Sequence, residues 1–294
     1  MAHVILFEHL NFHGAHKHVV GAESNLNAQD DSFFNDNVRS LVVVDDNWAF
    51  YRTYKFADQY STILGPGLYP NVGAANITPG DMSSLQPVKE RPTVIGAPLD
   101  NHILLFEHGS FHGTHKHVFS AERNLNAPDD NSFNDAVSSL AVLNGNWAFY
   151  RDYDFGSQYP PVLGPGGYPF VGFVQIQNDD MSSLQPAKDA RPTVRNPLLI
   201  EQGVVLYKYA AFHGDHKHVV TWESNLNASD DNSFNDNVLS IAVLSHEWTF
   251  FHDYNFQNQY LDQNQGPVVL SVGRYPSVDD AGIQSDLSSL GPYN

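Results

Sequence analysis

The chain has 294 residues, no cysteine, and a formal charge of −18 from 33 acidic against 15 basic side chains. Disulfides, thiolate metal sites and a cysteine nucleophile are therefore excluded, and nucleic acid and anionic membranes are disfavoured as partners, because both are bound by clustered Lys and Arg. With 41% hydrophobic and 13% aromatic residues the chain reads as folded and long enough for two or three domains, with an acidic surface that suits cations and solubility alike.

From the N-terminus, Met1-Ala2-His3 leads straight into an apolar run, Val4 to Phe7, with no basic segment and long apolar stretch after it. No signal peptide is readable, which leaves a cytoplasmic or non-classically exported protein as the expectation. The longest apolar runs, Val4 to Phe7 and Ser40 to Val44, are far too short to span a bilayer. His3-Val-Ile-Leu-Phe, Ser40-Leu-Val-Val-Val and Trp48-Ala-Phe-Tyr have strand length and β-branched or aromatic content. Turn-prone clusters separate them: Asn11-Phe-His-Gly14, Gln29-Asp-Asp-Ser32, Asp45-Asp-Asn47 and Gly65-Pro-Gly67. No stretch holds a 3.6-residue apolar period for more than a turn or two, so the class is all-β, a sandwich.

The same elements then return. Phe12-His-Gly-Ala-His-Lys-His18 recurs at Phe111 to His117 and at Phe212 to His218, offsets of 99 and 101 residues. Such a period fits one small domain and is too long for a solenoid repeat. The joins are charged and carry proline, so they cannot run inside a sheet. The expected organisation is a domain at 1–90, a linker at 91–98, a domain at 99–188, a linker at 189–200 and a domain at 201–294, with a short insertion in the third copy around Asp262 to Gln265. Each copy also repeats within itself: in the second, Phe106 to Gly113 leads to Asn134-Asp-Ala-Val-Ser-Ser139, and Phe149 to Gly156 leads to Asn178-Asp-Asp-Met-Ser-Ser183. Each half reads as one four-stranded Greek key, two keys to a domain.

Two motifs carry a family resemblance. One is an aromatic residue followed after six positions by glycine: Phe7 to Gly14, Phe106 to Gly113, Tyr207 to Gly214. Its second-half equivalents end in Asp58, Ser157 and Asn258, at a position that needs positive φ, tolerated by glycine and, less readily, by Asp and Asn. The other is Asn/Asp twice, two variable residues, Ser/Thr, then Ser. With Gly164-Pro-Gly-Gly-Tyr-Pro169 as a tyrosine corner, the sequence resembles the microbial βγ-crystallin family over nearly its whole length, three times.

That resemblance implies calcium sites built across the two keys of each domain. Ca²⁺ is a hard ion taking six to eight oxygens at roughly 2.3–2.6 Å. One motif supplies the Asn/Asp oxygens and the third-position carbonyl, the other supplies the fifth-position hydroxyl, and the residue after a strand aromatic supplies a further carbonyl. The second copy is complete: Asn134, Asp135 and the Ala136 carbonyl with Ser182 and the Glu107 carbonyl, then Asn178, Asp179 and the Asp180 carbonyl with Ser138 and the Arg151 carbonyl. In the first copy Arg39 replaces the hydroxyl and Pro79-Gly80 replaces the leading pair, leaving Asn35, Asp36, Asn37 and Ser83 with the Glu8 carbonyl. In the third, Leu239 and Gln284-Ser285 spoil one site, leaving Asn235, Asp236, Asn237 and Ser288 with the Lys208 carbonyl. Four calcium sites are expected, distributed one, two, one. The plainer alternative, that Asn-Asp and Ser-Ser merely build turns by Asx hydrogen bonding, holds for the degenerate halves.

Nine of the fifteen histidines lie in the tripled Phe-His-Gly-x-His-Lys-His element. His16 and His18, His115 and His117, and His216 and His218 are two apart, which on a strand puts both rings on one face. Each pair, with His13, His112 or His213, can take Zn²⁺ or Ni²⁺ adventitiously. The alternative is an exposed hairpin copied by duplication with no ion, whose rings titrate near pH 6–7. Catalysis is not expected: no Gly-x-Ser-x-Gly elbow occurs, and three copies differing mainly at metal positions make a binding array rather than one preorganised site. A protein-interaction module, acting as an inhibitor, coat component or toxin, is the remaining alternative, and nothing in the sequence names its partner.

Overall fold

The computed structural model describes residues 1–30, 34–188, 190–194 and 203–293. The chain divides into two compact units, one of Met1–Leu99 with Phe212–Asp215, the other of Asp100–Ala211 with His216–Asn294. Among the described residues the architecture is all-β, with six antiparallel sheets.

In the first copy the strands are β1 (His3–Phe7), β2 (His16–Val19), β3 (Ser40–Asp45), β4 (Asn47–Thr53), β5 (Ala57–Leu64), β6 (Gly67–Tyr69) and β7 (Ser84–Val88). They form sheets of order β2-β1-β3-β6 and β5-β4-β7. The halves are interlocked rather than side by side: β6, from the second half of the sequence, completes the first sheet, while Glu23, from the first half, bridges to Leu85 at the edge of the second. The second copy repeats this with β8 (His102–Phe106), β9 (His115–Val118), β10 (Ser139–Asn144), β11 (Trp147–Tyr150), β12 (Gln158–Leu163), β13 (Gly166–Tyr168) and β14 (Ser183–Pro186), again with the Glu122 to Leu184 bridge. The third has the same first sheet, and its second sheet is broken where Asp262 Oδ1 accepts the Asn264 and Gly266 amides in the inserted turn. Each copy buries its own core around Trp48, Trp147 or Trp248.

The folded hairpins run through consecutive left-handed residues: Asn11 and Phe12 at φ 58° and 68°, Ser110 and Phe111 at 57° and 67°, Asp154 and Phe155 at 53° and 62°. Positive φ at a phenylalanine is strained. The sixth-position serine of each motif offsets it. Ser139 Oγ donates to the His108 carbonyl at 2.5 Å and accepts the Phe111 amide at 3.0 Å, and Ser183 does the same to Asp152 and Phe155 at 2.6 and 3.1 Å. Asp58, Ser157 and Asn258 take φ 53°, 51° and 52°, as their positions in the motif require. The tyrosine corner is present: the Tyr168 hydroxyl donates to the Gly164 carbonyl at 2.8 Å, and burial pushes its pKa up to about 12.

The join at 91–98 is not a free spacer. Gly65 N donates to the Val94 carbonyl and Leu68 N to the Ala97 carbonyl, so the segment lies along the edge of the first copy while Pro92 and Pro98 stay out of the ladder. Most of the join at 189–200 lies outside the described residues.

Within the second unit, the second and third copies meet through a small apolar cluster of Leu104, Phe106, Phe111, Ala141 and Val220. Beside it sits a charged latch. His112 contacts Glu223 at 3.4 Å and Asp230 at 3.0 Å, Lys217 contacts Glu223 at 3.2 Å and Asp231 at 2.6 Å, and the Gly113 amide donates to Asp231. Hydrogen bonding to Glu223 raises the His112 pKa to about 9. Burial alone would raise that of Glu223, but His112 and Lys217 outweigh it and hold the carboxyl at about 2. The same contact recurs in the first unit, where His213 meets Glu23 at 3.2 Å and Asp30 at 3.0 Å.

Two outcomes follow. Ser139→Ala leaves a buried amide and carbonyl unpaired and is expected to cost about 1–3 kcal/mol in a denaturant melt, well above the cost of Ser138→Ala in calcium-free buffer. Because the folded pKa of His112 lies above its ordinary value of 6.5, its contribution is complete below pH 6.5 and lost as pH rises to about 9. Glu223, depressed from 4.5, loses its contribution as pH falls towards about 2. Stability of the second unit should therefore decline above pH 6.5, and His112→Ala should flatten that alkaline limb in thermal melts across pH.

Candidate metal centres

Four Asn-Asp loops share one geometry. Asn35, Asn134, Asn178 and Asn235 each donate Nδ2 to the carboxylate of the following Asp at 2.7 Å. Those aspartates, Asp36, Asp135, Asp179 and Asp236, all stand at φ between 52° and 56°. These are the four loops that retain the full leading pair. The left-handed residue turns the asparagine inward and the carboxylate outward: Asn134 and Asn178 are half-buried, Asp135 and Asp179 exposed.

The strand exchange brings opposite motifs together. Asp36 N donates to the Met82 carbonyl at 3.0 Å, Asp135 N to Met181 at 3.1 Å and Asp236 N to Leu287 at 3.3 Å, so each loop lies against the residue preceding Ser83, Ser182 or Ser288. In the second copy the reciprocal contact is direct, Ser138 Oγ to Asp179 Oδ1 at 3.2 Å. Both asparagines of this copy keep a buried side-chain oxygen, Oδ1 of Asn134 and of Asn178, with no hydrogen-bond partner. A buried amide oxygen without a donor is costly. A cation seated in each loop would satisfy its asparagine oxygen, and the oxygen-only donor set fits Ca²⁺.

The strand carbonyls do not pair as the motif order implies. Antiparallel pairing sets Tyr51 opposite Ser84 and Tyr150 opposite Ser183. Ser83 therefore donates Oγ to the Arg52 carbonyl at 2.8 Å, and Ser182 and Ser288 hang by their amides from Tyr150 and Phe251. The carbonyls beside these hydroxyls are those of Arg52, Arg151 and His252. The carbonyls of Glu8, Glu107 and Lys208 instead lie next to the fifth position of their own half, since Arg39, Ser138 and Leu239 donate their amides to Phe7, Phe106 and Tyr207. On this register the Ser182 site would take the Arg151 carbonyl, the Ser138 site that of Glu107, and the Ser83 and Ser288 sites those of Arg52 and His252, where the motif order implied Glu107, Arg151, Glu8 and Lys208. The Glu8 side chain accepts Asn37 Nδ2 at 2.6 Å, while Asn237 turns to the Asn235 carbonyl and Lys208 lies 5.3 Å from the Phe234 ring. The signal in the sequence was the strand register, which no motif spacing reveals. Ala136 follows the Asp135 turn with its amide on the Phe133 carbonyl.

The third position of the second motif is an anchor. Tyr159 donates to both the carbonyl and the carboxylate of Asp180 at 3.0 and 2.7 Å, and Arg151 Nε reaches the same carboxylate at 2.6 Å. Burial works against ionisation of Asp180, but those donors outweigh it and hold the carboxyl below its ordinary range, while burial and Asp180 push Tyr159 up to about 12. Tyr60, Asp81 and Arg52 repeat this arrangement, and in the third copy His252 replaces the arginine, 2.9 Å from Asp286. In the degenerate half of the first copy, Gly80 takes the left-handed position at φ 73°, and a Cβ there would lie 4.0 Å from the Arg39 guanidinium.

The histidine hairpins are not exposed. His18, His115, His117 and His218 are buried, with His16 and His216 intermediate. The intervening Lys116 and Lys217 point to the other strand face, where they pair with Asp130 and Asp231. His112, Glu223 and Asp231 are close enough to share a metal ion, but the Lys217 ammonium already occupies the cation's place between the two carboxylates.

A sequence profile described as Beta/Gamma crystallin matches residues 3–88 and 102–187. The chain is 30% identical over 148 residues to the epidermal differentiation-specific protein of Cynops pyrrhogaster, an alignment covering 50% of this chain and 38% of that protein's length. It is 36% identical over 84 residues to a beta/gamma-crystallin of Ciona intestinalis, covering 28% of this chain and 94% of that one. A solved structure described as a transition-metal-ion-binding betagamma-crystallin from Methanosaeta thermophila is 32% identical, with a TM-score of 0.27, over 29% of this chain and 99% of that chain. With matches over two successive copies, more than half its length, and the interlocked Greek keys described above, the chain belongs to the beta/gamma crystallin family.

Proposed function

We propose that this protein is a calcium-binding structural protein whose domains are stabilised by Ca²⁺ held between paired loops, with one, two and one sites in its three copies. The observation that carries the reading is the pair of buried, unpartnered amide oxygens on Asn134 and Asn178, in the copy whose two motifs are both complete. The ligand sets are Asn134, Asp135 and the Ala136 carbonyl with Ser182 and the Arg151 carbonyl, and Asn178, Asp179 and the Asp180 carbonyl with Ser138 and the Glu107 carbonyl. The single sites use Asn35, Asp36 and Asn37 with Ser83 and the Arg52 carbonyl, and Asn235, Asp236 and Asn237 with Ser288 and the His252 carbonyl. The protein is read as non-catalytic: its repeated sixth-position serines are spent on holding hairpins, as Ser139 and Ser183 are. Among the described residues no helix is long and apolar enough to cross a membrane. Histidine-based binding of a transition metal is a second reading, favoured by the burial of paired rings on a shared strand face.

Calorimetric titration of the chelator-treated chain should give four calcium ions per molecule. A ligand that binds only the folded state stabilises it by about 2.7 kcal/mol at 100-fold excess over its Kd, so melting temperature should rise with calcium. An unchanged melt and no binding heat would reject the reading. Ser138→Arg, which copies Arg39, should lower the stoichiometry from four to three, with the variant's fold in chelator checked by circular dichroism.

A further inference from the structure

We infer that the open sheet edge of the third copy, from Val269 to Tyr275, is a docking groove for an extended segment of another protein. The segment that fits has the form Arg-small-Thr-Val and adds to the edge as a further strand. This reading is independent of the metal centres.

The first two copies show how the edge is used. In the first, Thr93 N donates to the Ile63 carbonyl at 2.8 Å, Thr93 Oγ1 accepts the Ile63 amide at 2.9 Å, and Gly65 N donates to the Val94 carbonyl at 3.0 Å. In the second, Thr193 makes the same two bonds to Val162 at 2.9 and 3.0 Å. Val94 and Val194 bridge in parallel to Leu64 and Leu163 and pack against the two cores. Main-chain hydrogen bonds plus a pocket for one side chain are the general means by which a sheet edge takes up a peptide. The same tetrapeptide fills both edges, Arg91-Pro-Thr-Val94 and Arg191-Pro-Thr-Val194.

In the third copy the edge is built the same way and lies open. Val269 pairs with Thr249 as Ile63 does with Ala49, and Leu270 with Trp248 as Leu64 does with Trp48. Gly65 and Tyr69 are buried in the first copy and Gly164 and Tyr168 in the second, whereas Ser271 is exposed and Tyr275 half-buried. Among the described residues no isolated bridge joins a segment to Val269 or Leu270. The Tyr275 hydroxyl still donates to the Ser271 carbonyl at 2.8 Å, so the floor of the groove is intact. A Cβ added at Gly67 would fall 2.7 Å from Gly96 of the join, but at Gly273 it would meet nothing nearer than the Tyr275 hydroxyl at 3.4 Å. The room that glycine keeps for a segment is present and unfilled.

Two substitutions set what this groove prefers. A Cβ at Gly65 or Gly164 would come within 3.0 or 3.1 Å of Pro92 or Pro192. Ser271 supplies that Cβ, so the third copy disfavours proline and favours a smaller residue before the threonine. Asn47 and Asn146 hold the joins by donating to the Glu90 and Ala190 carbonyls at 2.9 and 3.0 Å. Glu247 stands in their place, exposed, its carboxylate accepting Ser271 Oγ at 3.1 Å. It offers an anion where the asparagines offer a donor, which suits an arginine in that part of the segment. Exclusion of one side chain and attraction for another together make a preference.

The test is fluorescence polarisation of a labelled peptide of residues 89–97 carrying Pro92→Ala, titrated with the intact chain. Saturable binding is expected, weaker by about tenfold or more for the proline-bearing peptide and for one that also carries Val94→Asp. Gly273→Val fills the groove at a backbone φ outside the left-handed range and should abolish binding. Ser271→Gly should remove the penalty on proline, and Glu247→Lys should weaken binding of the arginine-bearing peptide. Circular dichroism matching the parent's shows that each variant folds; if Gly273→Val does not, the proline preference and its loss in Ser271→Gly decide. No saturable binding, binding that survives Gly273→Val, or the absence of any proline preference overturns the proposal. So does a dimer of the parent, seen by sedimentation, that binds no peptide and dissociates on Gly273→Val, since the groove then holds a second copy of this chain.

Discussion

Everything in the metal centres depends on the exchange of one edge between the two sheets of each copy. Because β6 or β13 crosses to complete the sheet of the other half, and Glu23 or Glu122 bridges back, the loop following one key is pressed against the strand entry of the other. Asp135 is held on the Met181 carbonyl and Ser182 on the Tyr150 carbonyl by backbone hydrogen bonds. The fold itself positions these oxygens, which would lower the conformational entropy that an ion must remove on binding. The same constraint leaves the inward oxygens of Asn134 and Asn178 without a donor.

The two serines that end each motif divide the work. The sixth holds a hairpin with phenylalanine at positive φ, using its hydroxyl as donor and acceptor at once. It is fully buried in every copy, as Ser40, Ser139 and Ser240 show in the first halves. The fifth faces the opposite loop and is free to vary. Arg39 and Leu239 stand there without loss of the hairpin, because Ser40 and Ser240 still donate to the His9 and Tyr209 carbonyls at 2.6 Å. The fifth position can thus change while the hairpin persists.

Charge is managed locally despite the net −18. The third-position aspartates are matched by Arg52, Arg151 or His252, and the acidic loop at the junction of the second and third copies is matched by Lys217 and His112. Where oxygens would otherwise repel one another, a side-chain cation is supplied. The buried side-chain oxygens of Asn134 and Asn178 have no hydrogen-bond donor.

The repeat, the all-β class, the positive-φ positions and the four complete Asn-Asp loops were legible in the sequence, because each is a matter of local chemistry: a six-residue motif, a glycine or its substitute, a strand-length apolar run. The partners of the strand carbonyls were not. Register between β4 and β7, or β11 and β14, pairs residues more than thirty positions apart, so Arg52 and His252 carry no local mark of their place beside Ser83 and Ser288. The histidines show the same limit. Their two-residue spacing gave the shared face, but only the packing of the second copy on the third decided that the rings of His115, His117 and His218 are buried against one another and not displayed to solvent, since burial is a property of surfaces that meet and not of the strand that carries them.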